Sequence, residues 1–253
     1  MKQLRHIGFA GLLLASCSVF SAVPAEGWYA GATGILSYAP TINATHSHPS
    51  SPTVLAGTEL AYSIGGGGTG QVGYRICYFR VEGELFFDYN PVTRLTVDGV
   101  SFKRHFIPFP FITPPFTPVG PGTPGVKIKG NTSFGGAMIN GYYDIYDEDD
   151  DPSFVPYIGL GVGYAHIASE INFYGIAQPV TAGTSSEFFI TGGKTSSNTP
   201  VGQIILGLSY FYNDETSFGL DYRYMTTRTI SAFDTRFQVH TLNLFFNYTF
   251  SEA

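Results

Sequence analysis

The sequence is poor in charge and in cysteine, and these shortages exclude several classes of protein. Charged residues make up 13% of the 253, about half of the usual share, whereas aromatic residues reach 16%. Disordered chains show the opposite composition, so disorder does not describe the chain as a whole. The net charge of −6 supplies no basic surface for nucleic acid. The composition therefore favours a folded protein that does not bind nucleic acid.

Long apolar stretches are also missing, except at the N-terminus. Helical membrane spans need about 18 or more consecutive apolar residues, so a helical membrane protein is excluded. Basic residues precede an apolar stretch from Ile7 to Phe20, and small residues then lead to Ala25. This order is typical of a secretory signal peptide. We expect residues 1–25 to be cleaved and residues 26–253 to form a single domain.

The two cysteines add little, but they leave one alternative open. Leu14-Ala15-Ser16-Cys17 resembles a bacterial lipobox, in which Cys17 would be lipidated rather than removed with the signal peptide. If Cys17 is removed, Cys77 cannot form an intrachain disulfide. We expect Cys77 to lie on a strand as a small residue that is buried or faces lipid. No zinc or redox motif is present, and we expect no cofactor.

Alternation of apolar and polar residues recurs along the mature chain. It is clearest at the C-terminal end, where Leu242, Leu244, Phe246, Tyr248 and Phe250 share one face and Thr and Asn dominate the other. A period of two over about ten residues predicts a half-apolar β-strand. Similar patterns predict eight strands in all, at or around residues 28–38, 60–75, 79–89, 127–146, 158–164, 203–212, 219–224 and 240–250.

Long and short connections between these strands alternate strictly. Short turns are predicted near Gly73-Tyr74-Arg75, at 147–153 and at 213–216. The long connections are at 39–58, 91–126, 171–199 and 227–236. This order predicts an antiparallel up-and-down β-barrel whose two ends face different environments. Transmembrane barrels have such an order, with short periplasmic turns and long extracellular loops.

Alternation alone does not say whether the apolar face lines a cavity, as in a soluble lipocalin, or faces lipid. The polar face is thinly charged and rich in Gly, Ser, Thr and Asn, which suits a narrow interior. The chain also ends on an aromatic strand. We therefore favour the membrane barrel, with interfacial girdles formed by aromatic residues at the strand ends: Trp28, Tyr29, Tyr38, Tyr74, Tyr157, Tyr248 and Phe250.

Several segments resemble a known family. They read GWYAGATG, GGAMINGYYDI, PYIGLGVGYA, LGLSYFYNDETSFGLDYRYM and HTLNLFFNYTF. They are similar to the small eight-stranded outer-membrane barrels of bacteria, which include the barrel of outer-membrane protein A, the opacity proteins and surface antigens.

This resemblance implies an eight-stranded transmembrane β-barrel in the outer membrane of a Gram-negative bacterium, surrounded by lipid and lipopolysaccharide. It also implies insertion by the barrel-assembly machinery, which would read the C-terminal strand through Phe246, Tyr248 and Phe250. Chains of this family usually end on the terminal aromatic residue, whereas three residues follow Phe250 here.

Five charged residues are predicted to point into the barrel. Arg80, Glu82 and Glu84 share one strand, and Asp221 and Arg223 share another. Charges inside a narrow barrel must pair, because burial of an unpaired charge is costly. An ion-pair network could fill the interior permanently, or it could rearrange as a gate for small solutes. Eight strands leave little room beyond the side chains themselves, which favours a filled polar lumen.

The second long connection, 91–126, contains eight of the 16 prolines together with Phe106, Phe109, Phe111 and Phe116. Such proline density favours extended backbone that loses little entropy on binding. One interpretation is that the segment is an arm that docks on a host or surface partner. The other is that its phenylalanine rings pack on the barrel rim or enter the outer leaflet of the membrane.

Catalytic and metal motifs are weak. His166 and Ser169 are an odd number of residues apart, so on one strand they face opposite sides and cannot share a proton. His46 and His48 lack further ligands, and the acidic run 147–151 lacks the spacing of a calcium loop.

We therefore expect a non-enzymatic surface protein that acts structurally and through its loops, in contacts of the surface-antigen or adhesion type. A small-solute or ion channel is the first alternative, and a lipid-modifying hydrolase is the second.

Overall fold

The computed structural model describes residues 25–44, 58–97, 100–104, 107–108, 125–147, 153–177, 186–230 and 235–250. No helix in these ranges is long and apolar enough to cross a membrane. Their regular structure consists of twelve strands: β1 (Gly27–Tyr38), β2 (Ile42–Ala44), β3 (Thr58–Tyr62), β4 (Gly65–Ile76), β5 (Phe79–Val97), β6 (Val100–Lys103), β7 (Ile107–Pro108), β8 (Gly125–Asp144), β9 (Phe154–Ala177), β10 (Ser186–Phe211), β11 (Thr216–Thr227) and β12 (Gln238–Thr249).

Eight of these strands form a closed ring. Going round the ring, the order is β1, β4, β5, β8, β9, β10, β11 and β12, and each strand is antiparallel to its neighbours. Pairing of β1 with β12 closes the ring. The antiparallel eight-stranded barrel predicted from the sequence is therefore confirmed. The short strands β2, β3, β6 and β7 lie at the end of the barrel that carries the long connections.

The apolar face of the barrel points outward. Leu244, Leu160 and Val162 are 64%, 67% and 70% exposed, although each belongs to a face that is almost entirely apolar. Threonine and asparagine of the opposite face, such as Thr241 and Asn243, are buried. An apolar outer belt around a polar interior is the arrangement of a barrel that sits in lipid, and it is the reverse of a lipocalin.

The aromatic girdle is only partly as predicted. Trp28 and Tyr74 are exposed and pack edge to face, with ring centroids 5.4 Å apart. Tyr38, Tyr248 and Phe250 are also exposed. By contrast, Tyr29 and Tyr157 point into the barrel and are buried. Each follows or precedes an outward residue, so alternation turns its ring inward.

The first short turn lies three to four residues beyond the predicted position. Tyr74 and Arg75 remain in β4, where they pair with Val81 and Arg80 of β5, so the turn consists of Cys77 and Tyr78. Cys77 is therefore exposed in a turn and not on a strand. Its φ angle of 48° is in the left-handed region, which a tight hairpin requires at this point.

Strand lengths differ by a factor of two around the ring. The strands β1, β4, β11 and β12 have 12 residues each, whereas β9 has 24 and β10 has 26. A membrane-crossing strand needs about 9–11 residues. Because the periplasmic turns are short, the surplus extends on the other side as an extracellular sheet, which we define as residues 125–134, 167–177 and 186–199.

Two sequence predictions about the extent of strands are corrected by the observed pairing. The segment 171–199 was expected to be a loop, but 171–177 and 186–199 are paired strand. Its Ser, Thr and Gly residues alternate weakly, so pairing with neighbouring strands, not side-chain periodicity, fixes its conformation. The predicted strand 60–75 is also two elements, since β3 pairs with β5 and β2, whereas β4 pairs with β1 and β5.

Candidate functional site

The interior of the barrel holds the charged side chains that the sequence placed there. Arg80, Glu82 and Glu84 lie on β5, and Asp221 and Arg223 lie on β11. All five are buried. Within each strand these residues are two apart, and residues two apart on a β-strand point to the same side, here the inside of the barrel.

Arg223 joins two of the acids. Its Nη1 lies 2.6 Å from Oε2 of Glu84, and its Nε lies 2.8 Å from Oδ1 of Asp221. The same guanidinium also donates from Nη2 to Oδ2 of Asp221 over 3.0 Å. Asn243 and Tyr157 donate to the Asp221 carboxylate as well. The fork of Arg223 thus links β5 and β11 across the lumen through fully buried, charge-assisted bonds.

Glu82 is held differently. Its carboxylate accepts hydrogen bonds from the hydroxyls of Tyr29, at 3.0 Å, and Tyr142, at 2.8 Å. Asn140 donates to Glu82 over 3.3 Å and to Glu84 over 2.8 Å, so its amide connects the two carboxylates. Gln203 then donates to Asn140 from a further strand. Three neutral donors from two strands, β1 and β8, therefore satisfy this acid.

A second ionic group lies towards the periplasmic turns, and two of its three members, Arg75 and Asp144, were not predicted. Arg80 and Arg75 both approach Asp144, at 2.8 Å and 3.4 Å. The guanidinium of Arg80 is also stacked between the rings of Tyr142 and Tyr157, 4.6 Å from each centroid. Continuing the alternation to the ends of the strands would have found Arg75 and Asp144.

Glycines make room for the interior rings. A Cβ atom built on Gly73 would lie 2.4 Å from Cζ of Tyr29, and one on Gly207 would lie 2.3 Å from Cζ of Tyr157. Contacts this short cannot be tolerated, so these positions must lack a side chain. The glycines of the inward face therefore set the space in which the interior tyrosines lie.

The sequence predicted a filled polar lumen, but the extracellular half of the interior combines an apolar cluster with buried polar residues such as Ser37, Asp88 and Asn90. Phe237, from the connection between β11 and β12, packs against Phe134 and Tyr62 with centroids 5.4 Å and 6.0 Å apart. Phe86 packs on Phe134 at 4.9 Å. The remaining members of this extracellular cluster are also buried: Ala39, Ile42, Leu60, Val92, Leu95, Ile128, Met138, Ala165, Ile167, Val201, Met225, Ile230 and Val239.

Part of this cluster could have been foreseen. Phe86 continues the inward face of Glu82 and Glu84, so parity alone places its ring in the lumen. Phe237 lies outside any alternating segment, and no local pattern indicates that its ring enters the barrel.

Several predicted residues lie in parts of the chain that the structure does not describe. Phe106, Phe109, Phe111 and Phe116 lie outside the described residues, as do His46, His48 and residues 1–24. No group of three or more metal-ligating side chains occurs in the part of the chain that is described.

The possible hydrolase pair is separated by the sheet. His166 is exposed, with Nδ1 2.6 Å from Oδ1 of Asn198, whereas Ser169 is buried and accepts from Thr132 over 3.0 Å. The imidazole and the hydroxyl therefore lie on opposite sides of the barrel wall.

The C-terminal strand closes the barrel and presents its aromatic side outward. Phe246, Tyr248 and Phe250 are all exposed, and Tyr248 donates to Glu215 over 2.9 Å. Whether the assembly machinery reads these rings stays a prediction.

The outer face of the extracellular sheet carries a cluster of ion pairs. Both Lys127 and Lys129 of β8 donate to the carboxylate of Glu187 on β10, the latter over 3.1 Å. The hydrogen bonds from Lys127 and Lys129 lower the pKa of Glu187. This exposed carboxylate is therefore charged at neutral pH.

Fold and site together define a transmembrane β-barrel with an occupied interior. The sequence matches the family described as the outer membrane protein beta-barrel domain over residues 7–250. The chain belongs to this family, and its place is the bacterial outer membrane.

Solved structures with a similar chain course come from several bacteria. Neisserial surface protein A is 14% identical, with a TM-score of 0.44, and the alignment covers 90% of this chain and 100% of that one. Ail, the attachment invasion locus protein of Yersinia pestis, is 13% identical, with a TM-score of 0.43 and coverages of 89% and 99%. OprG from Pseudomonas aeruginosa is 13% identical, with a TM-score of 0.43 and coverages of 92% and 99%. No curated protein matches the sequence.

Proposed function

We propose that this outer-membrane barrel is a closed, non-enzymatic scaffold whose function is carried out by its extracellular sheet and loops. In this view the interior is structural, and the extracellular surface makes contacts of the surface-antigen or adhesion type. Outer-membrane lipid and lipopolysaccharide surround the apolar belt, and the C-terminal strand is the segment that the barrel-assembly machinery reads.

The observation that carries this proposal is that the interior is occupied at two levels while the strands continue outward. The Arg223 and Arg80 groups fill the periplasmic half, and the extracellular cluster around Phe237, together with buried Asp88 and Asn90, fills the other. Eight strands enclose a space that side chains can fill completely. A solute would have to displace both layers to pass, and this filling argues against transport through the interior.

The size of the extracellular sheet supports the same proposal. At about 3.3 Å per residue, the 26 residues of β10 reach roughly 85 Å along the strand, well over twice what the membrane requires. Its outer residues 187–196 are all exposed. A protein that served only to hold its barrel in the membrane would have no need of this extension.

The separation of His166 from Ser169 supports the non-enzymatic part of the proposal. A nucleophile needs its base within hydrogen-bonding reach. Here the barrel wall lies between the imidazole and the hydroxyl.

Cells that display a shortened hairpin would test the proposal. Replacing residues 171–193 by Asn-Gly joins Glu170 to Lys194, which already face each other across the two strands, through a turn suited to a hairpin. We expect this variant to insert and to show the heat-dependent gel shift of a folded barrel, but to lose adhesion to matrix-coated surfaces and to other cells.

A matched control is Glu82→Gln, which changes the interior and leaves the surface intact. It should adhere like the original chain. Adhesion that survives the shortened hairpin, or that is lost on Glu82→Gln in a folded barrel, would contradict the proposal.

A small ion channel is the second candidate, and one observation favours it. The buried charges of the described residues comprise three arginines against five carboxylates, so the interior carries an excess of negative charge. If the filling could rearrange, the lumen would favour cations.

A further inference from the structure

The outer part of β10 is a sheet edge that no described strand covers. From Ser186 to Thr199, β10 pairs with β9 on one side, whereas its pairing with β11 begins only at Val201. All ten residues 187–196 are exposed. An uncovered edge of this length presents a row of backbone N–H and C=O groups to which another strand can bind.

A bulge on this edge changes which residues share a face. Phe189 and Thr191 pair with Tyr174 and Phe173, which are adjacent, so Ile190 is an extra residue in β10. On a regular strand, residues an odd number apart face opposite sides. Across the bulge at Ile190 the rule is reversed, and residues an odd number apart share a face.

Glu187 and Lys194 are brought to the same face in this way. They are seven residues apart, but they pair with positions 176 and 170 of β9, which are six apart, so Glu187 and Lys194 lie on one side of the sheet. The same comparison applies to two aromatic residues and two glycines. Phe188 shares a face with Gly193, and Phe189 shares the opposite face with Gly192, as their β9 partners show: Gly175, Ile171, Tyr174 and Asn172.

These faces make the edge complementary to a second copy of itself. If two edges are set antiparallel with Glu187 opposite Lys194, then Phe188 falls opposite Gly193 and Phe189 falls opposite Gly192. Each ring then stands opposite a glycine on its own face, and an aromatic ring over an uncovered glycine stabilises an antiparallel pair. A Cβ atom on Gly193 would meet nothing within 4 Å, so Phe188 has space there once its ring leaves Gly175, against which it lies in the single copy. Gly192 is already covered by the side chain of Asn172, so the Phe189 pair adds no such contact.

The charges across such a pair would alternate in sign. Lys127 and Lys129 contact Glu187 within one copy, and Lys194 lies opposite Glu170. Joining Glu187 to Lys194 of the second copy places each of these two charges between charges of opposite sign. Cross-strand pairs of opposite charge stabilise an antiparallel ladder, and like charges destabilise it.

The direction of β10 determines where the second copy must be. In every copy, β10 runs from the extracellular end towards the periplasmic turn. Two antiparallel β10 edges therefore belong to barrels that point in opposite directions. Barrels in one membrane all point the same way, so their β10 edges could only meet in parallel. An antiparallel, isologous pair requires the two barrels to stand in opposed membranes.

We infer that the β10 edge binds the β10 edge of a second copy on a facing outer membrane, with Glu187 opposite Lys194, and so joins neighbouring cells. This inference rests on the proposed function, because it names the partner of the extracellular sheet.

Charge reversal gives a direct test. Cells of two colours carry either Glu187→Lys or Lys194→Glu, and mixed clusters are counted by flow cytometry. In cells of one variant, both contacts bring like charges together, and clustering should fall by about tenfold. In a mixture of the two variants, both contacts are attractive again, so clusters that contain both colours should return to the level of the original chain.

Matched controls are Glu59→Lys on β3 and Lys103→Glu on β6, which make the same charge changes at exposed positions outside the edge. Both should cluster normally. Recovery in the mixture also shows that both variants fold. Failure of the mixture to recover, with folded barrels confirmed by gel shift, would overturn the inference.

A covalent test does not depend on charge. In a Cys77→Ser background, cells with Glu187→Cys are mixed with cells that carry Lys194→Cys. A disulfide-linked dimer should form only in the mixture, and a mixture of Glu59→Cys with Lys103→Cys should give none. Dimers within a single population, or none in the mixture, would overturn the proposed register.

If these tests fail while the shortened hairpin still abolishes adhesion to matrix, the proposed function stands and only the partner is wrong.

Discussion

At the scale of single residues, the interior is organised around arginines. Arg223 satisfies two carboxylates at once, and Arg80 combines an ion pair with stacking on two rings. Such groups are costly to bury singly, and their worth depends on complete pairing. The hydrogen bonds from Asn140, Tyr157 and Asn243 complete that pairing.

Replacing Arg223 by Met should leave Glu84 and Asp221 buried without a cation. We expect the free energy of unfolding in lipid vesicles to fall by about 3–5 kcal/mol, measured by urea titration with the gel shift as readout. The combined variant Glu84→Gln, Asp221→Asn and Arg223→Met removes the charges together and should regain most of the loss. Equal stability of the single variant and the original chain would mean that the network does not stabilise the barrel.

Successive residues of a β-strand point to opposite sides. This alternation allowed the inward position of five residues to be predicted from the sequence: Arg80, Glu82, Glu84, Asp221 and Arg223. Their partners were not predicted, because contacts across the lumen depend on which strands face each other and on the stagger of the ring. Tyr29 and Tyr157 were assigned to the girdle because aromatic residues at strand ends usually serve there. Their positions in the alternation of each strand, however, place both rings inside the barrel.

At the scale of elements, the sequence located the eight barrel strands well and their ends poorly. Alternation is strong where one face meets lipid and the other meets the interior. Above the membrane both faces of β10 are exposed, so residues 187–196 show no such pattern. The hairpin extension was therefore read as a loop. The turn at Cys77 was misplaced for a related reason, since Gly73 looked like a turn residue but serves to seat Tyr29.

The Cys77 turn gives a prediction for the β4–β5 hairpin. A left-handed conformation disfavours β-branched residues, so Cys77→Val should lower the free energy of unfolding by about 1–2 kcal/mol. Cys77→Asn is the control, because asparagine tolerates this conformation. Both variants keep the backbone N–H that donates to Glu26 over 2.7 Å. If both were equally stable, the turn would not be under the strain that its φ angle indicates.

At the scale of the whole molecule, the barrel divides into three layers with different roles. The apolar belt holds the chain in the membrane, the two interior layers fill the lumen, and the extracellular sheet extends beyond it. The sequence alone indicated the belt and the ionic part of the interior. The extracellular cluster could not be foreseen as a unit, because it joins residues from the barrel wall, from β2 and β3, and from the connection that carries Phe237.

The central claim is that the lumen stays closed and that the outer surface carries the function. Single-channel recording of the refolded chain in a planar bilayer tests it most directly, after a gel shift has shown that the barrel is folded. A lumen that stays closed should give a folded barrel with no discrete conductance steps. Steps whose size changes with Glu82→Lys or Arg223→Glu would contradict it and would make the protein a small channel.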